Sequence, residues 1–334
     1  MKPLRFGGYA ASAAEPNVVV DGSPNDGTVL TLTHWPGFPQ PDGYRFDLSA
    51  EMAFHYLDEP IDHPPAELVT NNHFDQDGLV GIHALVNPEL SFDHRALLID
   101  VASAGDFATF RDRRAARASM VIDAYADADR SPIADSLVGS YDEHCVVLYD
   151  ETIPLLVSMA TDVDRFRELW ADEDAELTAS ESALSEGIVT IEEVPGIDLA
   201  IVTIPETTAG RSGHRFAGMS FDSVHPMALH NATGCLRLLL VHGRRFQFVD
   251  RYETWVQYRT RHPLPRVDMR PLSELLIERE SGSAMWSASP PGSLTPILRV
   301  VDESSLDAAL VSEMVVAHLR NSPPAWNPYS AGQT

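Results

Sequence analysis

The chain has 334 residues, with 24 Lys+Arg against 49 Asp+Glu, a formal net charge of −25, and 44% hydrophobic residues. That balance belongs to a soluble globular protein, and the length exceeds what one hydrophobic core usually serves, so two domains are expected. A field this acidic repels polyanions and excludes binding of duplex nucleic acid across a basic face; an anionic substrate has to be captured by a metal ion or by a local group of arginines.

Residues 1–27 are rich in Gly, Pro, Asn and Ser and read as a loose start with one short strand at Asn17–Val20. Thr28–Thr33 alternates in the manner of a strand and runs into His34-Trp35-Pro36-Gly37, placed either at the mouth of a cleft or as an aromatic anchor under a proline turn. Ser49 is the expected N-cap of a helix with Met52, Ala53, Tyr56 and Leu57 on one face, ended by Pro60. Glu67–Thr70 reads as a strand and Leu79–Val86 as a helix stopped before Pro88. Ala96–Val101 is an apolar run of strand length leading into Gly105-Asp106-Phe107. From Ile133 to Ser185 the pattern is helical and acidic. Its Asp172-Glu173-Asp174 run reads as a solvated face, since neighbouring carboxylates on a helix point around the cylinder.

The texture changes near Gly187, which sets expected domains at 1–186 and 187–321 and a flexible tail at 322–334. In the second domain Ile188–Glu192, Leu199–Ile204, Leu236–Val241, Arg245–Asp250 and Thr254–Tyr258 read as strands and Arg266–Glu280 as a helix. Cys145 and Cys235 are far apart and lie in no CxxC or Cys/His cluster, so neither a disulfide framework nor a thiolate zinc site is expected. No stretch approaches the ~18–20 apolar residues of a membrane span. A reduced, cytoplasmic protein with no membrane partner is the expectation.

The chemistry concentrates in His73-x-Asp75-x-Asp77-Gly78, between a strand and a helix. Alternate acceptors on an extended or tight-turn segment aim into one pocket, and strand ends facing helix starts are where α/β sheets place ligands. Close carboxylates and an imidazole repel one another unless a cation sits between them. Without thiolates that cation is Mn²⁺ or Mg²⁺ before zinc.

The segment His73-Phe74-Asp75-Gln76-Asp77-Gly78-Leu79 resembles the first motif of the DHH phosphoesterase superfamily, HxDxDG after the first strand. The resemblance implies an α/β protein: a doubly wound parallel-sheet N-terminal domain holding two divalent ions, usually Mn²⁺, and a smaller α/β C-terminal domain that binds substrate. It also implies hydrolysis of phosphodiester or phosphoanhydride bonds, with His73, Asp75 and Asp77 as ligands and Asp106 or Asp100 as the bridging carboxylate. Tyr252 to Arg261, followed by Arg266-Val267-Asp268-Met269, resembles the strand, arginine and helix order of the family's second domain. Two departures stand beside these matches. The family's Asp-His-His motif is absent, its nearest text being Asp142-Glu143-His144, and Ser281 to Trp286 replaces the usual Gly-rich loop with histidine.

For the substrate's phosphate the candidates are Arg211, His214 and Arg215 in a Gly-containing loop, and Arg259 and Arg261 alternating on one strand face. His225, with His230 nearby, reads as a substrate contact or as part of a polar helix start. The function expected is a metal-dependent hydrolase of phosphoesterase type acting on a small phosphorylated or short nucleotide substrate. Its partners are that small anion and no duplex nucleic acid, with a homodimer left open. Two alternatives remain: a catalytically degenerate ligand-binding or regulatory protein that keeps the fold, and another metal hydrolase that draws on His225 and His230.

Overall fold

Asn17-Val18-Val19-Val20 is buried at every position, the signature of a strand covered on both faces. It lies inside the first sheet of the computed structural model, which describes residues 2–206 and 224–330. The chain is α/β and divides into two compact units, Met1–Asp174 and Ala175–Thr334. In the first, β1 (Arg5–Phe6), α1 (Tyr9–Ser12), β2 (Asn17–Val20), β3 (Thr28–Leu32), α2 (Ser49–Asp58), β4 (Leu68–Thr70) and α3 (Gln76–Val86) are followed by α4 (Pro88–Asp93), α5 (Arg95–Asp106), α6 (Arg113–Ala126), α7 (Tyr141–Thr152) and α8 (Leu156–Thr161). Helix α9 (Arg167–Ser185) runs across the division.

The four strands are parallel in the order β1-β4-β2-β3. From β2 the chain steps outward to β3, then returns through α2 to lay β4 on the opposite side of β2. That reversal opens a crevice beyond the carboxyl ends of β2 and β4. On α2 and α3, Met52, Phe54, Leu79 and Ile82 are fully buried, each side chain worth about 1.5–3 kcal/mol relative to exposure.

The second unit is built on a six-stranded mixed sheet. Its elements are β5 (Thr190–Val194), β6 (Leu199–Ile204), α10 (Pro226–Ala232), β7 (Arg237–His242), β8 (Arg245–Asp250), β9 (Arg266–Val267), α11 (Arg270–Arg279), β10 (Trp286–Ala288), β11 (Ile297–Val300), α12 (Ala308–Asn321) and β12 (Pro324–Trp326). The sheet order is β10-β11-β8-β7-β6-β5, with β6 and β7 parallel and the other neighbours antiparallel. Leu238 and Leu240 face one core, while Leu239 and Val241 face the other, the period of two expected of a strand covered on both faces. Gly243, at φ 60°, opens the two-residue turn between β7 and β8.

Several expectations are corrected. Ala96–Val101 is not a strand: it belongs to α5, whose buried Leu98, Val101, Ala102 and Gly105 recur at helical spacing, which a short apolar run alone does not reveal. Thr254–Tyr258 is not a strand either. Tyr252–Thr254 is a 3₁₀ turn, closed by the Trp255 amide on the Tyr252 carbonyl at 2.7 Å. Helix α11 begins at Arg270, not Arg266, because Arg266 and Val267 form β9 and pair with β12. The 322–334 tail is structured through residue 330: β12 pairs with β9, and Trp326 lies under the Arg266 guanidinium at 4.7 Å. The loose start contains β1 and α1. The acidic run of α9 is not wholly solvated, since Glu173 and Asp174 are buried. Arg130 lies 3.6 Å from Glu173, and Arg113 and Arg117 pair with Asp174. No helix among the described residues is long and apolar enough to cross a membrane.

Candidate metal centre

Three parallel strands deliver one residue each at their carboxyl ends. Asp21 follows β2, His34 comes two residues after β3, and His73 comes three after β4. Asp75 and Asp77 sit at the start of α3, and Asp106 is the last residue of α5. Gly105 permits this last approach, because a Cβ there would collide with the side chain of Gln76. Gln76 is itself fixed by its amide donating to the Ser119 carbonyl at 2.9 Å.

The inner group is Asp21, His34, Asp77 and Asp106, all buried. The Nδ1 of His34 lies 2.6 Å from the Asp47 carbonyl. A carbonyl only accepts, so Nδ1 carries hydrogen and Nε2 faces the acids: Asp21 Oδ1 at 3.3 Å, Asp106 Oδ2 at 3.4 Å and Asp77 Oδ2 at 4.0 Å. Burial opposes charge on His34, but the hydrogen bond and charge of Asp21, with Asp77 behind it, push it up to about 9. Asp77 gives both oxygens to the start of α2, accepting the amides of Ser49 at 2.7 Å and Ala50 at 2.8 Å. Burial and the adjacent Asp21 charge nevertheless raise it to about 8. Ser49 is therefore the first residue of α2 rather than its cap, and its Oγ donates to Asp21 at 2.8 Å.

The outer group is Asp21, His73 and Asp75. Nε2 of His73 lies 2.9 Å from Asp75 Oδ2 and 3.2 Å from Asp21 Oδ2. Burial works against its charge, and Asp75 and Asp21 together push it up to about 10. Asp75 caps α3 through the Gly78 amide at 2.9 Å. Trp35 is half-buried with its ring 5.2 Å from the His73 ring. Asp21 thus serves both groups, one oxygen toward each. Burial alone would raise its carboxyl, but bonds from His34 and His73 and their charge hold it well below the usual range. Its backbone, at φ 53°, is in the left-handed region that Asp tolerates better than most residues.

Of the residues expected as ligands, His73 and Asp75 fall in the outer group and Asp77 and Asp106 in the inner one, while Asp21, common to both, and His34 are not among those expected. His34 is fully buried, whereas its neighbour Trp35 is partly exposed. Asp100, expected as a ligand or bridge, belongs to neither group: it lies within α5, and its oxygens accept the amides of Arg111 and Asp112 at 2.8–3.0 Å. Arg211, His214 and Arg215 lie outside the described residues. His225 is the N-cap of α10, where its Nδ1 accepts the Met227 amide at 3.1 Å. Arg259 and Arg261 do not share a strand face. Arg259 donates to Gln257 at 2.5 Å and lies over Tyr329, while Arg261 is ion-paired to Asp198. Asp142-Glu143-His144 opens α7 as a capping box with Ser140, whose amide donates to Glu143 at 2.7 Å.

In each group the possible donor atoms lie within 4.8 Å of one another, a spacing that could hold a metal ion. Carboxylate oxygens and imidazole nitrogens with no thiolate form a hard to borderline donor set. The tautomer lock on His34 is the support a metal-bound imidazole ordinarily has.

The chain belongs to DUF6687, a family of unknown function, whose model matches residues 2–330. No curated protein matches it.

Proposed function

We propose that this family member is a divalent-metal-dependent hydrolase of phosphoesterase type, acting on a small phosphorylated or short nucleotide substrate. The observation that carries the reading is Asp21, whose two carboxylate oxygens face separate imidazoles in two ligand groups. A shared carboxylate between two such groups suits a pair of ions, with Mn²⁺ favoured and Mg²⁺ as the alternative. Bound divalent ions supply a hydroxide near neutral pH and positive charge for phosphoryl oxygens. The chain's part is to hold the donors. Asp47 orients His34, the α2 amides fix Asp77, and Ser49 fixes Asp21. The resemblance of the His73 to Gly78 motif to the DHH phosphoesterases supports phosphoester chemistry. The net charge of −25 favours a small anion drawn to a cationic centre over a long polyanion.

A second reading keeps the centre but not catalysis: a ligand-binding or regulatory protein. It is favoured by the capping role of the Asp142-Glu143-His144 segment. One experiment separates the two. Purified protein is assayed for bound manganese and for hydrolysis of bis-p-nitrophenyl phosphate or a dinucleotide. Metal binding with turnover supports the hydrolase, and metal binding without turnover supports the second reading. A protein that takes up no ion and remains inactive in added Mn²⁺ overturns both.

A further inference from the structure

The two ligand groups differ in exposure and in how firmly their imidazoles are held. His34, Asp21, Asp77 and Asp106 have side chains 0%, 1%, 0% and 2% exposed, whereas His73 and Asp75 retain 20% and 13%. His34 is locked by its Nδ1–H on the Asp47 carbonyl at 2.6 Å. His73 has no such lock: its buried Nδ1 has no hydrogen-bond partner among the described residues. Asp77 is further held by the amides of Ser49 and Ala50 at the start of α2. Every comparison ranks the inner group as the more preorganised and the outer group as the more accessible.

We propose that the centre rests half-loaded: an ion in the inner group is resident, and an ion in the outer group exchanges with solvent, so that activity follows the free divalent-cation concentration. This rests on the metal reading above. Releasing an ion from the inner group requires water to reach side chains that are almost fully buried. At the outer group, solvent already reaches His73 and Asp75. The missing support on His73 weakens the outer ion further, since an outer-shell partner is worth about 10–100-fold in metal affinity.

The test uses the full chain, stripped with chelator and titrated with Mn²⁺ alone, with bound manganese measured by equilibrium dialysis and elemental analysis. Two classes of site are expected, one ion each, separated by about 10–100-fold in affinity. His73→Ala, and His73→Gln as a more conservative replacement, should lose only the weak class while circular dichroism stays native. Asp106→Asn should weaken the tight class. Two equivalent ions in the wild type, or loss of both ions from a folded His73 variant, would overturn the inference while leaving the metal reading standing. Protein that binds no manganese overturns the metal reading itself.

Discussion

The carboxylate of Asp77 accepts the backbone amide of Ser49 at 2.7 Å, so the last acid of the motif on α3 closes the N-terminus of α2. It takes the Ala50 amide as well, at 2.8 Å, and is fully buried. A residue that reads as a ligand is also a structural cap. Asp77→Ala should therefore destabilise the protein even without metal, by about 1–3 kcal/mol, since two buried amides lose their acceptor. Urea unfolding of chelator-treated protein measures this. Unchanged stability would mean that Asp77 does not hold α2.

Tyr149 supports the outer group from below. Its Oη donates to the His73 carbonyl at 2.9 Å and accepts from Asn71 Nδ2 at 3.1 Å, and the ring is fully buried. Tyr149→Phe keeps the ring and removes both bonds, which should cost about 1–2 kcal/mol of stability. Manganese titration of this variant should show the weaker ion affected and the tighter one unchanged. Equal weakening of both would assign Tyr149 to general packing instead.

The two imidazoles make stability depend on pH when metal is absent. Their folded values are raised, His34 to about 9 and His73 to about 10, from an ordinary value near 6.5. A raised value means stabilisation present in full below about 6.5 and lost as pH climbs through 9 to 10. Thermal melts of metal-free protein should decline across that window, and the double variant His34→Gln/His73→Gln should flatten the decline. Because metal displaces the same protons, manganese affinity should rise with pH over the same range.

In the second unit, Arg266 is fully buried and fills its fork with main-chain carbonyls. It donates to Pro291 at 2.9 Å, Ser293 at 2.5 Å and Leu294 at 2.8 Å, and its Nε bonds to Thr254 Oγ1 at 2.7 Å. Arg266→Lys cannot reproduce a planar fork, and leaving several buried carbonyls unpaired should cost about 3 kcal/mol or more. Denaturant midpoints compare the two proteins; a difference below about 1 kcal/mol would be incompatible with this role.

The sequence made some of this centre readable and hid the rest for physical reasons. His73 and Asp75 fall within one strand–turn–helix connection, so their meeting in the outer group follows from local geometry. Asp21 and His34 each follow a different strand, and only the parallel order β1-β4-β2-β3 makes them neighbours. A faint signal for Asp21 existed in Val18-Val19-Val20-Asp21-Gly22, an apolar run ending in an acid and a glycine. Asp100 and Asp106 were indistinguishable while α5 read as a strand. As a helix, it turns Asp106 toward His34 and leaves Asp100 to hold the amides of Arg111 and Asp112. Arg261 looked available for phosphate because its partner Asp198 lies 63 residues away. In a chain with about twice as many acids as bases, carboxylates of the protein itself compete with any substrate for a guanidinium.

Anomalous scattering at the manganese edge, from crystals of the full chain grown with Mn²⁺, tests the central claim most directly. The account predicts a peak among Asp21, His34, Asp77 and Asp106 and a second, of lower occupancy, among Asp21, His73 and Asp75. Manganese found elsewhere, with both groups closed by direct imidazole–carboxylate contacts, would contradict it.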